Sequence, residues 1–126
     1  MKYENQIFKI LCVLSFITIL SIFFINKSNA QTWTASDMNG TSYDLSNYTN
    51  KATLVDISAH WCGPCWSWHT GGVMEELYHD FGPDGTDEFM VFFIDGDAAS
   101  SVSLLNGATG SVGNWVTGTP YPLIGP

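Results

Sequence analysis

Apolar and polar positions alternate along this chain in blocks that predict a strand–helix succession. Thr53 to Ala59 is β-branched and nearly continuously apolar, which suits a central parallel strand covered on both faces; Asp56 is its one interruption. Phe89-Met90-Val91-Phe92-Phe93-Ile94 predicts a second buried strand, ended by Asp95-Gly96-Asp97. Between them Val73, Met74, Leu77, Tyr78 and Phe81 recur at helical spacing, so one main helix is expected from Cys62 to Phe81. Gly71-Gly72 should kink or loosen it, and Gly82-Pro83-Asp84-Gly85 should end it. Ala98 to Asn106 reads as a short second helix, Gly107 to Gly113 as a loop, and Tyr121 to Ile124 as a last short strand. Ahead of all this, Trp33, Asp37 to Gly40 and Ser42 to Leu45 predict a β-hairpin turning at Asn39-Gly40, followed by a loop or helical turn to Asn50. The alternation is that of an α/β domain with right-handed crossovers.

The first thirty residues follow a different pattern. Lys2 and Lys9 precede an uncharged, mostly apolar run from Ile10 to Ile25, and Asn26 to Ala30 ends in small residues before Gln31. This is the layout of a secretory signal peptide. The rival is a membrane anchor, for which the run is short against the ~20 residues of a span. Cys12 lies within the apolar run with more apolar sequence after it, the wrong place for a lipidated cysteine. Residues 1–30 are therefore expected to be a signal peptide or anchor, and residues 31–126 one domain, with an extracytoplasmic (periplasmic or secreted) address.

Cleavage there would sharpen the charge. Lys51 would be the one remaining lysine, without any arginine, against eleven carboxylates, a formal charge of −10. One lysine cannot neutralise a run of phosphates, which excludes nucleic-acid binding. The chain is equally unsuited to anionic membrane surfaces, so no membrane partner is expected once the leader is gone. Solubility explains the acidity, although it would also steer a basic partner.

Cys62 and Cys65 are then the two remaining cysteines, separated by Gly63-Pro64. A bridge closing so small a loop adds little stability, so the pair points to chemistry. At the start of a helix, free N–H groups and the positive dipole end stabilise a thiolate, which makes Cys62 the expected nucleophile. Pro64 is tolerated so early in a helix. Cys65, one turn further in, would resolve the mixed disulfide by attacking Cys62.

The stretch Leu54-Val55-Asp56-Ile57-Ser58-Ala59-His60-Trp61-Cys62-Gly63-Pro64-Cys65 is similar, almost position for position, to the active-site strand and turn of thioredoxins. The resemblance covers about residues 33–124 and implies a thioredoxin-like fold: a central mixed sheet with flanking helices, here with an N-terminal β-hairpin extension. It also implies a closing strand and helix beyond Pro126, so the domain is expected to be incomplete. Asp56, six residues before Cys62, takes the place of the family's buried aspartate and would accept the proton of Cys65. A carboxylate within a sheet should have its pKa raised by burial; a hydrogen-bonded structural aspartate is the alternative. Val116-Thr117-Gly118-Thr119-Pro120 matches the family's pattern before a cis-proline opposite the dithiol, which points to Pro120, with Pro122 as the alternative. The resemblance assigns substrate contacts to Trp61, Gly63, Pro64, Thr119 and Pro120. Trp61 is expected to pack beside the dithiol and limit access to it.

After Cys65 the chain departs from ordinary thioredoxins: Trp66, Trp68, His69 and Gly71-Gly72 stand where a lysine and a proline are usual. Cys-Trp after the motif and Gly-Thr-Pro-Tyr-Pro near the end resemble secreted thioredoxin-domain proteins of Bacteroidetes. The function implied is an exported thiol–disulfide oxidoreductase, with no cofactor beyond the Cys62–Cys65 disulfide and no metal. Its partners would be protein thiols and disulfides and an electron donor or acceptor that the sequence does not name. One rival reading is a zinc or copper site built from the cysteines with His60 and His69. A non-catalytic thioredoxin-like binding module is another.

Overall fold

A computed structural model describes residues 32–126. The signal peptide or anchor expected over residues 1–30, and Cys12 within it, lie outside the described residues. Among the described residues no helix is long and apolar enough to cross a membrane.

Strands β1 (Thr34–Ser36) and β2 (Ser42–Asp44) pair antiparallel, with Ala35 opposite Tyr43. The turn between them is wider than a two-residue Asn39-Gly40 turn. Asp37 organises it: its backbone N–H donates to Thr41 O at 2.9 Å, and its Oδ1 accepts from the N–H groups of Asn39 and Thr41. Gly40 takes the left-handed conformation that this turn requires (φ 83°). A 3-10 turn, Leu45–Tyr48, follows, capped by the Asp44 carboxylate.

Strand β3 (Ala52–Ser58) leads to helix α1 (Gly63–His69), helix α2 (Val73–Phe81) and strand β4 (Phe89–Asp95). Helix α3 (Val102–Leu105) and strand β5 (Leu123–Ile124) complete the order. The sheet order is β3-β4-β5, with every pairing parallel: Asp56 is in register with Phe93, and Phe93 with Leu123. Among the described residues, antiparallel pairing is confined to the hairpin, so the expected mixed sheet is two separate sheets.

The central strand is β4, and this corrects the expectation for β3. Met90, Val91, Phe92 and Phe93 are almost wholly buried, whereas Val55 is 40% and Ile57 67% exposed. The cause is pairing: among the described residues β3 has β4 on one side and no partner strand on the other. The hairpin covers the opposite face of β4, where Trp33, Tyr43 and Tyr48 set their rings edge-on around Phe92 at 5.4–5.6 Å. The helical face packs Val91 and Phe93 against Met74, Leu105, Trp115 and Tyr121, which is the core.

The expected single helix is two. Thr70 to Gly72 separate α1 from α2, and Gly72 stands in the left-handed region (φ 78°) as the N-cap of α2. Glu75 and Glu76 then sit in the first turn of α2, where the helix dipole favours acidic groups. The second predicted helix shrinks to Val102–Leu105, starting where Ser101 Oγ caps Leu104 N–H.

Candidate active site

The CxxC turn is built by local hydrogen bonding. Cys62 N–H donates to Ala59 O, ending the strand, and Cys62 O accepts from Trp66 N–H as the first helical bond of α1. Cys62 is thus the N-cap, in extended conformation, and its Sγ accepts from the Cys65 N–H at 3.3 Å. Pro64 falls in the first turn, where its missing N–H costs nothing. Cys62 and Cys65 are joined as a disulfide, with Cα atoms 5.2 Å apart. Gly63 and Pro64 are exposed, while Cys65 packs against the core.

Loop 111–115 clasps this turn through a single acceptor. His60 O receives the N–H of Val112 at 3.0 Å, Ser111 Oγ–H at 3.1 Å and the indole N–H of Trp115 at 3.2 Å. Trp115 is fully buried and wedges its ring against Trp66 and His69. Trp61 gains a partner that sequence reading did not name. It is 59% exposed, and its indole N–H donates to Asp97 Oδ2 at 2.7 Å, tying the turn to the loop after β4. The hydrogen bonds from Ala99 and Trp61 hold the Asp97 carboxyl below the usual range.

Asp56 is half-buried on the helical face of β3, one strand from Phe93. Burial pushes its carboxyl above the usual carboxylate range. The hydroxyl of Ser58, 3.1 Å from both carboxylate oxygens, and the neighbouring His69 pull it partly back.

Neither Pro120 nor Pro122 is cis; every peptide bond among the described residues is trans. Their segment is held from two sides. Phe93 N–H donates to Pro122 O at 3.0 Å on one side, and Met38 N–H to Leu123 O at 2.9 Å on the other. The edges of β5 are therefore taken by β4 and by the hairpin turn, on the far side of β4 from β3. Pro120 is exposed. With Thr119, it lines a cavity of about 370 Å³ bounded by Tyr43, Tyr78, Val116 and Tyr121 and not by either cysteine. The structure thus brings Cys62, Gly63, Pro64 and Cys65 together in one turn, with Asp56 on the strand that leads into it.

Helix α1 carries His69 into the core, where it is 5% exposed. Its Nδ1 lies 3.3 Å from the Tyr121 hydroxyl and its Nε2 3.4 Å from Thr119 Oγ1. A shared metal site with the cysteines would need this ring turned the other way. Among the described residues no group of three or more His, Cys, Asp or Glu side chains is placed to hold a metal ion. Sequence reading missed Trp115 and the partners of His69, Glu75 and Tyr121. Trp115 lies in a stretch without periodicity, and its one signal was a lone tryptophan among glycines.

No family model matches the sequence, and no curated protein is significantly similar to it. Solved structures do match. A candidate protein disulfide isomerase from Bacteroides thetaiotaomicron superposes with a TM-score of 0.55 at 22% identity, over 77% of this chain and 55% of its own. The thioredoxin domain of a thiol-disulfide oxidoreductase from Bacteroides vulgatus gives 0.51 at 16%, over 76% and 60%. A candidate thiol:disulfide interchange protein DsbE from Chlorobium tepidum gives 0.51 at 17%, over 77% and 60%. The chain spans less than two thirds of the length of these neighbours. Across roughly three quarters of its own length, the fold of this chain is thioredoxin-like.

Proposed function

We propose that the chain is an exported thiol–disulfide oxidoreductase acting on protein thiols and disulfides through Cys62 and Cys65. The observation that carries this reading is the Cys62–Cys65 bridge at the N-terminus of α1, with the raised carboxyl of Asp56 on the adjoining strand. In the reducing direction the Cys62 thiolate attacks a substrate disulfide, forming a mixed disulfide and expelling one substrate thiolate. Cys65 gives its proton to Asp56. Its thiolate then attacks Cys62 Sγ, closing the bridge and releasing the second substrate thiolate. Two electrons pass from the dithiol to the substrate, and the reverse sequence oxidises a substrate dithiol. An external dithiol or disulfide resets the pair, and no cofactor takes part.

Cys62 is the attacking sulfur because it caps the helix; Cys65 resolves because it is held against the core. Trp61, Gly63 and Pro64 present the exposed surface on which substrate backbone would rest. Export is supported by the apolar run from Ile10 to Ile25 and the small residues ending at Ala30. An oxidising compartment is also where such a bridge persists.

Trapping tests the assignment. Cys65→Ser protein, incubated with a peptide disulfide, should accumulate a mixed disulfide at Cys62, detected by mass. Cys62→Ser protein should accumulate none. Equal trapping by both variants would remove the division of roles, and trapping by neither would remove the function.

A further inference from the structure

The cavity of about 370 Å³ beside Thr119 and Pro120 has the size of a small-ligand cleft. Its charge is one-sided. Asp37 is the carboxylate in its wall, and no lysine, arginine or histidine lines it. Asp37 Oδ1 accepts from the N–H groups of Asn39 and Thr41, and Oδ2 accepts from the Tyr43 hydroxyl at 3.3 Å. A carboxylate offers about four lone-pair sites, so Oδ2 keeps one open. All three donors are neutral. Among the described residues the ion pairs are Lys51 with Asp87, His60 with Asp97 and His79 with Asp80, and none of them meets the charge of Asp37. Tyr43, Tyr78 and Tyr121 line the same cavity, the last two with ring centroids 5.9 Å apart and planes at 72°. Aromatic faces attract cations. Eleven carboxylates around Lys51 add a field of the same sign. An anion is thus disfavoured on every count, and a neutral guest would leave the carboxylate's charge unmet.

The chain itself ties this cavity to the dithiol turn. Trp115, whose indole N–H reaches His60 O, accepts through its own carbonyl from Thr119 Oγ1 at 2.8 Å, and Thr119 is part of the cavity wall. The connected path from Cys62 through His60 and Trp115 to Thr119 is at most ~30 Å, the reach of about nine extended residues. Resting on the thiol–disulfide reading above, we propose that this cavity receives the guanidinium or ammonium of a basic side chain on the protein substrate. It would select substrates that carry arginine or lysine within that reach of the sulfur attacked by Cys62. A guanidinium suits it better than an ammonium, because its planar fork of N–H groups donates to Oδ2 while its face stacks on a tyrosine ring. The hairpin supplies Asp37 and Tyr43, α2 supplies Tyr78, and the segment before β5 supplies Tyr121, so the N-terminal hairpin is what completes the site.

The first test titrates acetyl-arginine amide and its neutral isostere acetyl-citrulline amide into the oxidised full chain, following the backbone ¹H–¹⁵N signals of Asn39, Thr41 and Thr119. The arginine compound should move them, with an affinity that falls as salt is added, and the citrulline compound should bind about tenfold more weakly. Equal binding of the two, or no movement with either, overturns the cation site, and this comparison needs no variant to fold. The second test uses peptide disulfides with arginine or citrulline at increasing distance from the bridged cysteine. At one or more positions the arginine peptide should show about tenfold higher kcat/KM. Asp37→Asn keeps an oxygen for the Asn39 and Thr41 N–H groups and should bring the two peptides to nearly equal rates. Equal rates at every position in the wild-type protein overturn the selection of basic substrates. Peptides that never exchange, beside an arginine amide that binds, overturn the oxidoreductase reading and the substrate role with it, but not the cation site.

Discussion

Asp56 is the residue to which the proposed reaction gives the proton of Cys65. It lies on the helical face of β3 with the Ser58 hydroxyl as its hydrogen-bond donor, and burial raises its pKa. A carboxyl with a raised folded pKa favours folding in its protonated form. That contribution is complete below the ordinary aspartate range and is lost as pH rises through the raised value. Asp56→Asn should therefore stabilise the protein near neutral pH and hardly at all in acid, flattening the pH dependence of thermal melts. The same variant should slow resolution of a mixed disulfide about a hundredfold, the scale of a lost proton acceptor. Melts that keep the wild-type pH dependence would show that Asp56 is solvated. The role of Asp56 is what the thioredoxin resemblance implies for its place six residues before Cys62. His69 was noticed only as a metal-ligand candidate, because its partners Thr119 and Tyr121 lie 50 and 52 positions away, with Glu75 joined through Tyr121, and a side-chain network of that span leaves no local pattern.

At the scale of elements, two glycines separate backbone strain from crowding. Gly72 holds the break between α1 and α2 at φ 78° with open space where a Cβ would stand. Gly72→Ala should cost about 1–2 kcal/mol through the left-handed backbone alone, read as a lower melting temperature with unchanged disulfide exchange. A Cβ on Gly113 would stand 2.2 Å from the Trp66 ring. Gly113→Ala should cost about 1–3 kcal/mol and shift tryptophan fluorescence, since the ring against Trp115 and His69 must move. If Gly113→Ala leaves the fluorescence unchanged, the clasp of loop 111–115 on α1 is not as described. The helix start at Cys62, the break at Gly71-Gly72 and the strand at Phe89 to Ile94 were legible because turn chemistry and apolar periodicity are local. The place of β3 was not. Its apolar run is compatible with two covered faces, but whether a neighbour covers them is decided by the topology of β5, which follows the hairpin turn instead.

The whole molecule combines an acidic surface with an exposed sheet edge. Lys51, the one lysine or arginine among the described residues, is already paired with Asp87. Val55 and Ile57 lie on β3, the edge strand of the sheet among the described residues, and are exposed large apolar side chains. Such an edge invites strand pairing between copies, opposed here by like-charge repulsion. Sedimentation velocity should show self-association that strengthens as salt screens the charge, and Ile57→Lys should suppress it. Association that is insensitive to this substitution would place the contact elsewhere. The central claim, a reversible dithiol at Cys62 and Cys65, is tested most directly by equilibrating the protein with graded ratios of reduced and oxidised glutathione and counting bridged molecules by mass. The prediction is a single reversible two-electron transition, absent from Cys62→Ser and from Cys65→Ser. Free thiols at every ratio, or a bridge that does not reopen, would contradict it.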